Sequence, residues 1–388
     1  MKSERMKLQF LIISLLNHLM LTSQEEKPRP DTLDEPYGDI QTNYTYDDDD
    51  DEPFAPCNTT VPGFNPTGIM VVYIIVFVFS LIGNLVVVLV VCSMKKGRAS
   101  TDIYLMHLAI ADLLFCLTLP FWAVDNHMGW VFGNFLCKLL SGFQEASVYS
   151  GVFLLACISV DRYFAIVWAT RTLSSHHLLV KVICIIVWLI GGVLALPVVI
   201  KKESIYGDDL EQQICHENIT GESSYQWQVS IRILKHTMGF FLPLMVMFVC
   251  YGCTVVKLFH TRNQQKHKAM RVILAVVLAF ILCWLPHNIA VLIDTLIQGG
   301  TIQGETCQTR YTVEVIRSVT EVFAFMHCAV NPVLYAFIGE KFRNQLLSAL
   351  HKHGLISKRL QLAYRKGSVY STGSIRSRNT SVVNGQDG

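Results

Sequence analysis

Seven stretches of this chain are each about twenty residues long, apolar and almost free of charge, and no other feature constrains its fold as strongly. A helix needs about 20 consecutive apolar residues to cross the hydrocarbon core of a bilayer. No charged residue lies between Pro53 and Met94, and the apolar part of that interval, Gly68 to Val91, is the first candidate span. The next are Ile103 to Val124, interrupted by Asp112, and Leu139 to Tyr163, which contains Glu145. Val182 to Ile200, His236 to Val256 and Val272 to Ile293 are charge-free. The seventh, Val313 to Ile338, carries Glu314, Arg317 and Glu321 in its first half. Strands of a membrane barrel would be about half as long and alternating. The expected fold class is therefore an all-α membrane protein, a seven-transmembrane helix bundle. Composition agrees: of 388 residues 52% are hydrophobic and only 16% charged, against roughly 25% charged in ordinary soluble domains.

An odd number of spans puts the termini on opposite sides. The loop Lys95-Lys96-Gly97-Arg98 is basic, and so is the segment holding Lys257, Arg262, Lys266, Lys268 and Arg271. Basic loops face the cytoplasm, which places the N-terminus outside. The glycosylation sequons at Asn43, Asn58 and Asn218 then fall on the outer side, while the one at Asn379 falls inside. The expected organisation is residues 1–23 as a signal-like leader, 24–65 as an acidic extracellular tail and 66–339 as the seven-helix domain. Residues 340–388 would form a short amphipathic eighth helix and a cytoplasmic tail. In the leader, Lys2, Arg5 and Lys7 precede an apolar run from Leu8 to Leu21 that Asn17 and His18 interrupt. No small-residue cleavage site follows, so whether it is removed stays open.

From Glu25 to Glu52 the tail has twelve acids against two bases, a net of −10, with Tyr37, Tyr44 and Tyr46 among them. Such a segment cannot bury a core, but its field attracts basic proteins and speeds their encounter. Tyrosines in acidic extracellular surroundings are candidates for sulfation, which adds further negative charge. A merely solubilising tail is the competing reading.

A carboxylate inside the membrane costs about 2.5–3.5 kcal/mol and is a functional candidate. Asp112 is such a group, with Asn84 and Asn331 as expected hydrogen-bond partners; a polar clamp between helices and a cation-sensitive pivot both account for it. Trp284, His287, Val291 and Asp294 share one face of span six, and Glu314, Arg317 and Glu321 share one face of span seven. Pro286 removes a backbone donor in span six, where a kink is expected. With Trp122, Glu145, Arg232, Lys235 and His236, these groups outline a cavity open outward, although Arg232 and Lys235 also suit snorkelling to headgroups. Asp161-Arg162-Tyr163 closes span three at the inner side. Of twelve cysteines, Cys57, Cys137, Cys215 and Cys307 are extracellular, an even set in an oxidising compartment that allows three pairings. Cys250 and Cys253 sit within span five and read as buried thiols.

Taken in order, one set per span, Gly83-Asn84, Leu108-Ala109-Ile110-Ala111-Asp112, Asp161-Arg162-Tyr163, Trp188, Pro243, Cys283-Trp284-Leu285-Pro286 and Asn331-Pro332-Val333-Leu334-Tyr335 resemble the rhodopsin-like G-protein-coupled receptors. Thr118-Leu119-Pro120, Trp130-Val131-Phe132-Gly133, the stretch Asp161 to Val167, the acidic tyrosine tail, the four outer cysteines and Glu321 narrow the resemblance to chemokine receptors. Tyr149 to Leu173, Lys266 to Val277, Phe337 to Arg343 and His353 to Lys358 look most like CXC receptors of the interleukin-8-receptor type. The resemblance covers about residues 57–358.

It implies disulfides Cys137–Cys215 and Cys57–Cys307, and a chemokine whose body rests on the tail at Tyr37, Tyr44 and Tyr46 while its N-terminus enters the cavity. Trp122, Glu145, Arg232, His287, Asp294, Arg310 and Glu321 form the implied ligand set. Arg232 and Arg310 would receive the ligand's Glu, and Asp294 and Glu321 its cations. Asp112, Asp161, Arg162, Tyr163, Tyr251, Trp284, Asn331, Pro332 and Tyr335 would relay the signal to an inhibitory-type heterotrimeric G protein, giving calcium signalling and chemotaxis at the plasma membrane. Several positions depart from the wider class. Gln144 replaces the acid of amine receptors. Lys266 stands where an acid holds the arginine, so the resting state must rest on other contacts. Cys328 and Gly151 stand where a sodium site has polar groups.

Phe342, Leu346, Leu347 and Leu350 give residues 340–350 an apolar face suited to membrane lipid. Ser368, Ser371, Thr372, Ser374 and Ser377 are candidate phosphorylation sites for receptor kinases, with arrestin as the reader. A chemokine scavenger that does not signal would lack need of Asp161-Arg162-Tyr163; a receptor for another peptide is the other alternative. No internal repeat suggests a transporter. No enzyme motif is present, and no cofactor, metal or nucleic-acid partner is implied.

Overall fold

The computed structural model describes residues 66–93, 99–168, 177–207, 212–218, 224–259, 264–299, 306–352, 354 and 356–359. Among them seven helices are long and apolar enough to cross a membrane. They are Pro66–Ser93, Ser100–Met128, Gly133–Val167, Leu178–Lys201, Gln226–Lys257, Met270–Gln298 and Cys307–Ile338, spans one to seven. The fold class is the expected one. The leader, the acidic tail with Tyr37, Tyr44, Tyr46, Asn43, Cys57 and Asn58, and the tail serines and threonines all lie outside the described residues.

The helices outrun their charge-free windows. Span three begins at Gly133 and ends at Val167 rather than running from Leu139 to Tyr163, and span five begins ten residues before His236. Helical hydrogen bonding does not stop where charge begins, because the flanking side chains either reach water or find partners inside.

Two spans depart from a regular helix just before a proline, and a third divides without one at the break. Span two is a pair of helices, Ser100–Cys116 and Leu119–Met128. Pro120 has no N–H for the Cys116 carbonyl, and Thr118 turns its hydroxyl back to the Phe115 carbonyl at 2.7 Å. Span five passes through a π-helical turn, Thr237–Phe241, just before Pro243. Span seven divides into Cys307–Phe325 and His327–Ile338. Span six stays helical across Pro286, from Gln264 to Gln298.

The bundle is apolar outside and polar at its centre. Phe79, Leu89, Leu189, Phe248 and Leu282 are exposed and suited to lipid, whereas Ser80, Asn84, Asp112, Ser159 and Asn331 are buried. Span three packs against spans two, four, five and six. Spans one and seven meet at Gly83, where an added Cβ would come within 2.8 Å of Pro332. After span seven, Glu340–Lys352 is the expected short eighth helix. Its Phe342, Leu346, Leu347 and Leu350 are half-buried while Gln345 and Ser348 are exposed.

The sequence reading contained no strands, yet the outer connection between spans four and five is an antiparallel hairpin, β1 (Lys202–Gly207) with β2 (Gln212–Glu217), pairing Ser204 with Cys215. The expected Cys137–Cys215 disulfide fastens β2 to the start of span three. Cys307 is also disulfide-bonded; its expected partner Cys57 lies outside the described residues. Trp130 is buried beneath the hairpin, its backbone N–H donating to the Gln213 carbonyl at 2.6 Å and its indole N–H to the Gly133 carbonyl at 2.8 Å.

Gly129, just before Trp130, has φ 81° and ψ 179°, a region open only to glycine. A Cβ there would also lie 2.7 Å from the Gln213 carbonyl oxygen. Gly129→Ala is expected to destabilise the receptor by about 1–3 kcal/mol. In thermal unfolding of the detergent-solubilised protein, Gly192→Ala, which meets nothing within 4 Å, serves as the neutral control.

Candidate functional site

At the outer ends of spans three, five, six and seven, charged side chains pair with one another. Lys235 Nζ of span five lies 2.6 Å from Glu145 Oε1 of span three. Arg232, one turn further out, reaches Asp294 of span six at 3.1 Å and donates to Thr295 Oγ1 at 2.8 Å. Arg317 of span seven reaches the same Asp294 oxygen at 3.2 Å, and Gln298 donates to the other at 3.0 Å. Arg232 and Lys235 both turn to acidic partners on neighbouring spans. A charge in a low-dielectric setting is stabilised by a partner at contact distance more than by a distant headgroup. Asp294 is thereby shared by two guanidiniums.

Deeper, the Asn288 amide donates to the Trp284 carbonyl at 2.9 Å, leaving its Oδ1 to accept from His236 Nδ1 at 2.6 Å. His287 packs edge-on against Trp284 at 6.3 Å between centroids. Glu321 makes no hydrogen bond or ion pair among the described residues and is half-buried. Arg310 is exposed on the first turn of span seven, and no described contact joins it to Arg232.

The hairpin adds a residue that sequence reasoning missed. Lys202 leads β1, its ammonium 5.9 Å from the Trp122 ring centroid and 3.4 Å from the Cys215 carbonyl. Burial holds this ammonium below the usual lysine range, against the pull of Glu217, Glu145 and Glu321. The only signal was a doubled lysine, Lys201-Lys202, at the end of span four; its position over Trp122 depends on the hairpin. Trp122 in turn packs on Trp130 at 5.2 Å. On the outer face of the hairpin, Glu203 accepts from Asn218 at 2.7 Å and Lys138 at 3.3 Å, which holds its carboxyl below the usual range.

At mid-bundle Asn331 donates to Asp112 at 2.8 Å as expected. Asn84 does not reach Asp112: its amide donates to the Ser80 and Cys328 carbonyls at 3.0 and 2.8 Å. The second neighbour of Asp112 is His327, with Nε2 3.7 Å from Oδ1 and its ring beside Trp284 and Phe115. At the inner end Arg162 Nε donates to Asp161 at 3.0 Å. The Trp168 indole donates to the Tyr163 hydroxyl at 3.2 Å. Tyr251 meets Ser159 at 2.9 Å, and Tyr335 packs on Phe342 at 6.2 Å. The molecule thus has a charged cluster at the outer ends of the spans and a separate cluster at their inner ends, joined by the spans themselves, an arrangement suited to binding on one side and reporting on the other.

Residues 83–335 match the family of seven-transmembrane receptors of the rhodopsin type. The chain is 46% identical to the rabbit (Oryctolagus cuniculus) C-X-C chemokine receptor type 1 over 82% of its own length and 89% of the relative's. To the human (Homo sapiens) type 2 receptor it is 48% identical over 78% and 84% of the two chains, and to the human type 1 receptor 45% identical over 84% and 92%. The seven apolar helices, the ordered motifs and these identities agree: the chain is a multi-pass membrane protein that belongs to the rhodopsin family of seven-transmembrane receptors and, within it, to the C-X-C chemokine receptors.

Proposed function

We propose that this receptor binds a C-X-C chemokine of the interleukin-8 type outside the cell and activates an inhibitory-type heterotrimeric G protein inside, driving calcium signalling and chemotaxis. The observation that carries this reading is the paired charge network of the outer cavity, Glu145–Lys235 and Arg232–Asp294–Arg317. Asp294 holds the two guanidiniums together, and the three groups carry one net positive charge. A ligand carboxylate therefore suits Arg232, with Arg310 attracting it at the rim. Glu321, which has no ion pair among the described residues, takes a ligand cation, and Trp122, Glu145 and His287 line the path inward. The acidic tail of residues 24–65, with Tyr37, Tyr44 and Tyr46 as sulfation sites, steers and seats the chemokine body.

Trp284, Asp112, Asn331, Pro332, Tyr335, Tyr251 and the Asp161-Arg162-Tyr163 triplet transmit the change. The receptor stands in the plasma membrane with its N-terminus outside, glycosylated at Asn43, Asn58 and Asn218. A glycosylated Asn218 keeps one amide hydrogen, enough for its bond to Glu203. Residues 66–339 form the membrane domain, and the helix from Glu340 lies on membrane lipid. Receptor kinases phosphorylate Ser368, Ser371, Thr372, Ser374 and Ser377 in the cytoplasmic tail, and arrestin reads that charge.

Arg162→Ala is expected to abolish chemokine-driven nucleotide exchange while chemokine binding persists; full exchange in this variant would overturn the switch role. Arg232→Ala should raise the chemokine Kd about 30-fold or more through faster dissociation. Arg310→Ala should act mainly on the association rate, as rim charges do; surface plasmon resonance separates the two. Replacing Asp47 through Asp51 by lysine should slow association, with the difference shrinking as salt rises from low to physiological ionic strength. An unchanged on-rate at low salt refutes the steering role of the tail.

A further inference from the structure

Span five is tied to span three at both ends. The outer tie is Lys235–Glu145 at 2.6 Å, and the inner one is Tyr251–Ser159 at 2.9 Å. Between them span five passes through the π-helical turn Thr237–Phe241, a local irregularity of the kind that occurs at functional sites. Gly239 within it lies against the ring of Tyr149 on span three.

The inner tie is buried: Ser159 is 1% and Tyr251 7% exposed. Ser159 Oγ also lies 2.8 Å from the Leu155 carbonyl. A serine hydroxyl has one hydrogen and two lone pairs. That single hydrogen can serve the Tyr251 phenol oxygen or the Leu155 carbonyl, not both at once. Tyr251 is thus held by Ser159, and Arg162, one turn further in, is held by Asp161. Each leaves its own partner before it can serve another. At the inner end of span six, where an acid would otherwise restrain Arg162, the sequence has Lys266.

We infer that Ser159 is a positioning residue of the signalling switch: its hydroxyl latches Tyr251 to span three in the resting receptor and takes over part of the restraint that an acid at position 266 would supply. The inference rests on the reading that the Arg162 end drives nucleotide exchange. Losing one buried hydrogen bond shifts a two-state ratio about five- to thirty-fold, so release of the latch should register as activity without ligand.

The test is basal nucleotide exchange on an inhibitory-type G protein, in membranes bearing the full-length receptor at matched surface density. Ser159→Ala is expected to raise basal exchange about fivefold or more. Ser159→Thr keeps the hydroxyl and should stay near the resting level. Ser159→Val has the shape of Thr without the hydroxyl and should match Ala, so the Thr–Val pair decides the matter if Ala does not reach the surface. Equal basal exchange in Ser159, Thr and the variants lacking a hydroxyl overturns the latch. So does reduced chemokine response with unchanged basal exchange, which would assign Ser159 to the active state. A wild-type receptor that gives no exchange with an interleukin-8-type chemokine overturns the G-protein reading itself, and the latch with it. A responsive wild type with silent hydroxyl-free variants removes the latch alone.

Discussion

Hydrocarbon offers no hydrogen bond and no dielectric screening, and every level of this structure follows from that. Backbone groups must pair within their own segment, so the spans are helices. Side-chain charges must pair with one another, so the few inside the bundle mark its interior. Asp112 lies on Asn331, Glu145 on Lys235, Asp294 on two arginines and Arg162 on Asp161. A solvated protein would leave such groups to water. Here each pair is also a choice between partners, and a choice between partners is what a receptor changes when it switches.

A disulfide and a hairpin brace the outer ends of spans two and three. Cys215 holds β2 to span three, and β2 in turn holds Trp130 through the Gln213 carbonyl. Trp130 supports Trp122, and Lys202 sits over that ring. Gly129 is the hinge of this chain of contacts, because only a residue without Cβ can take its backbone angles beside that carbonyl. Among the described residues the inner cluster is held by side-chain pairs and by the apolar packing of Tyr251 and Tyr335 with Ile158, Met247 and Ile273.

Much of the fold was legible because its rule is one-dimensional. Length and absence of charge identify a span whatever surrounds it, and all seven spans were found this way. Their ends were less legible, since Arg232 and Lys235 resemble a headgroup boundary until Asp294 and Glu145 are brought beside them. Asn331 was correctly matched to Asp112, whereas Asn84 was drawn away by the nearer Ser80 and Cys328 carbonyls. His327, Lys202 and Ser159 were passed over. A lone histidine, lysine or serine has no pattern of its own, and each matters only through a neighbour on another helix.

The sequence by itself determined that this chain crosses a membrane seven times, which family it resembles, and which charges the membrane would force inward. Those are matters of composition and order along one chain, and transfer energy depends on little else. Tertiary structure alone decided which forced-in groups meet: that Asp294 serves two arginines, that Lys235 answers Glu145, and that Ser159 donates to Tyr251. Partnership across helices depends on rotation and depth in each span, and those are set by π turns, prolines and close contacts such as Gly83 on Pro332.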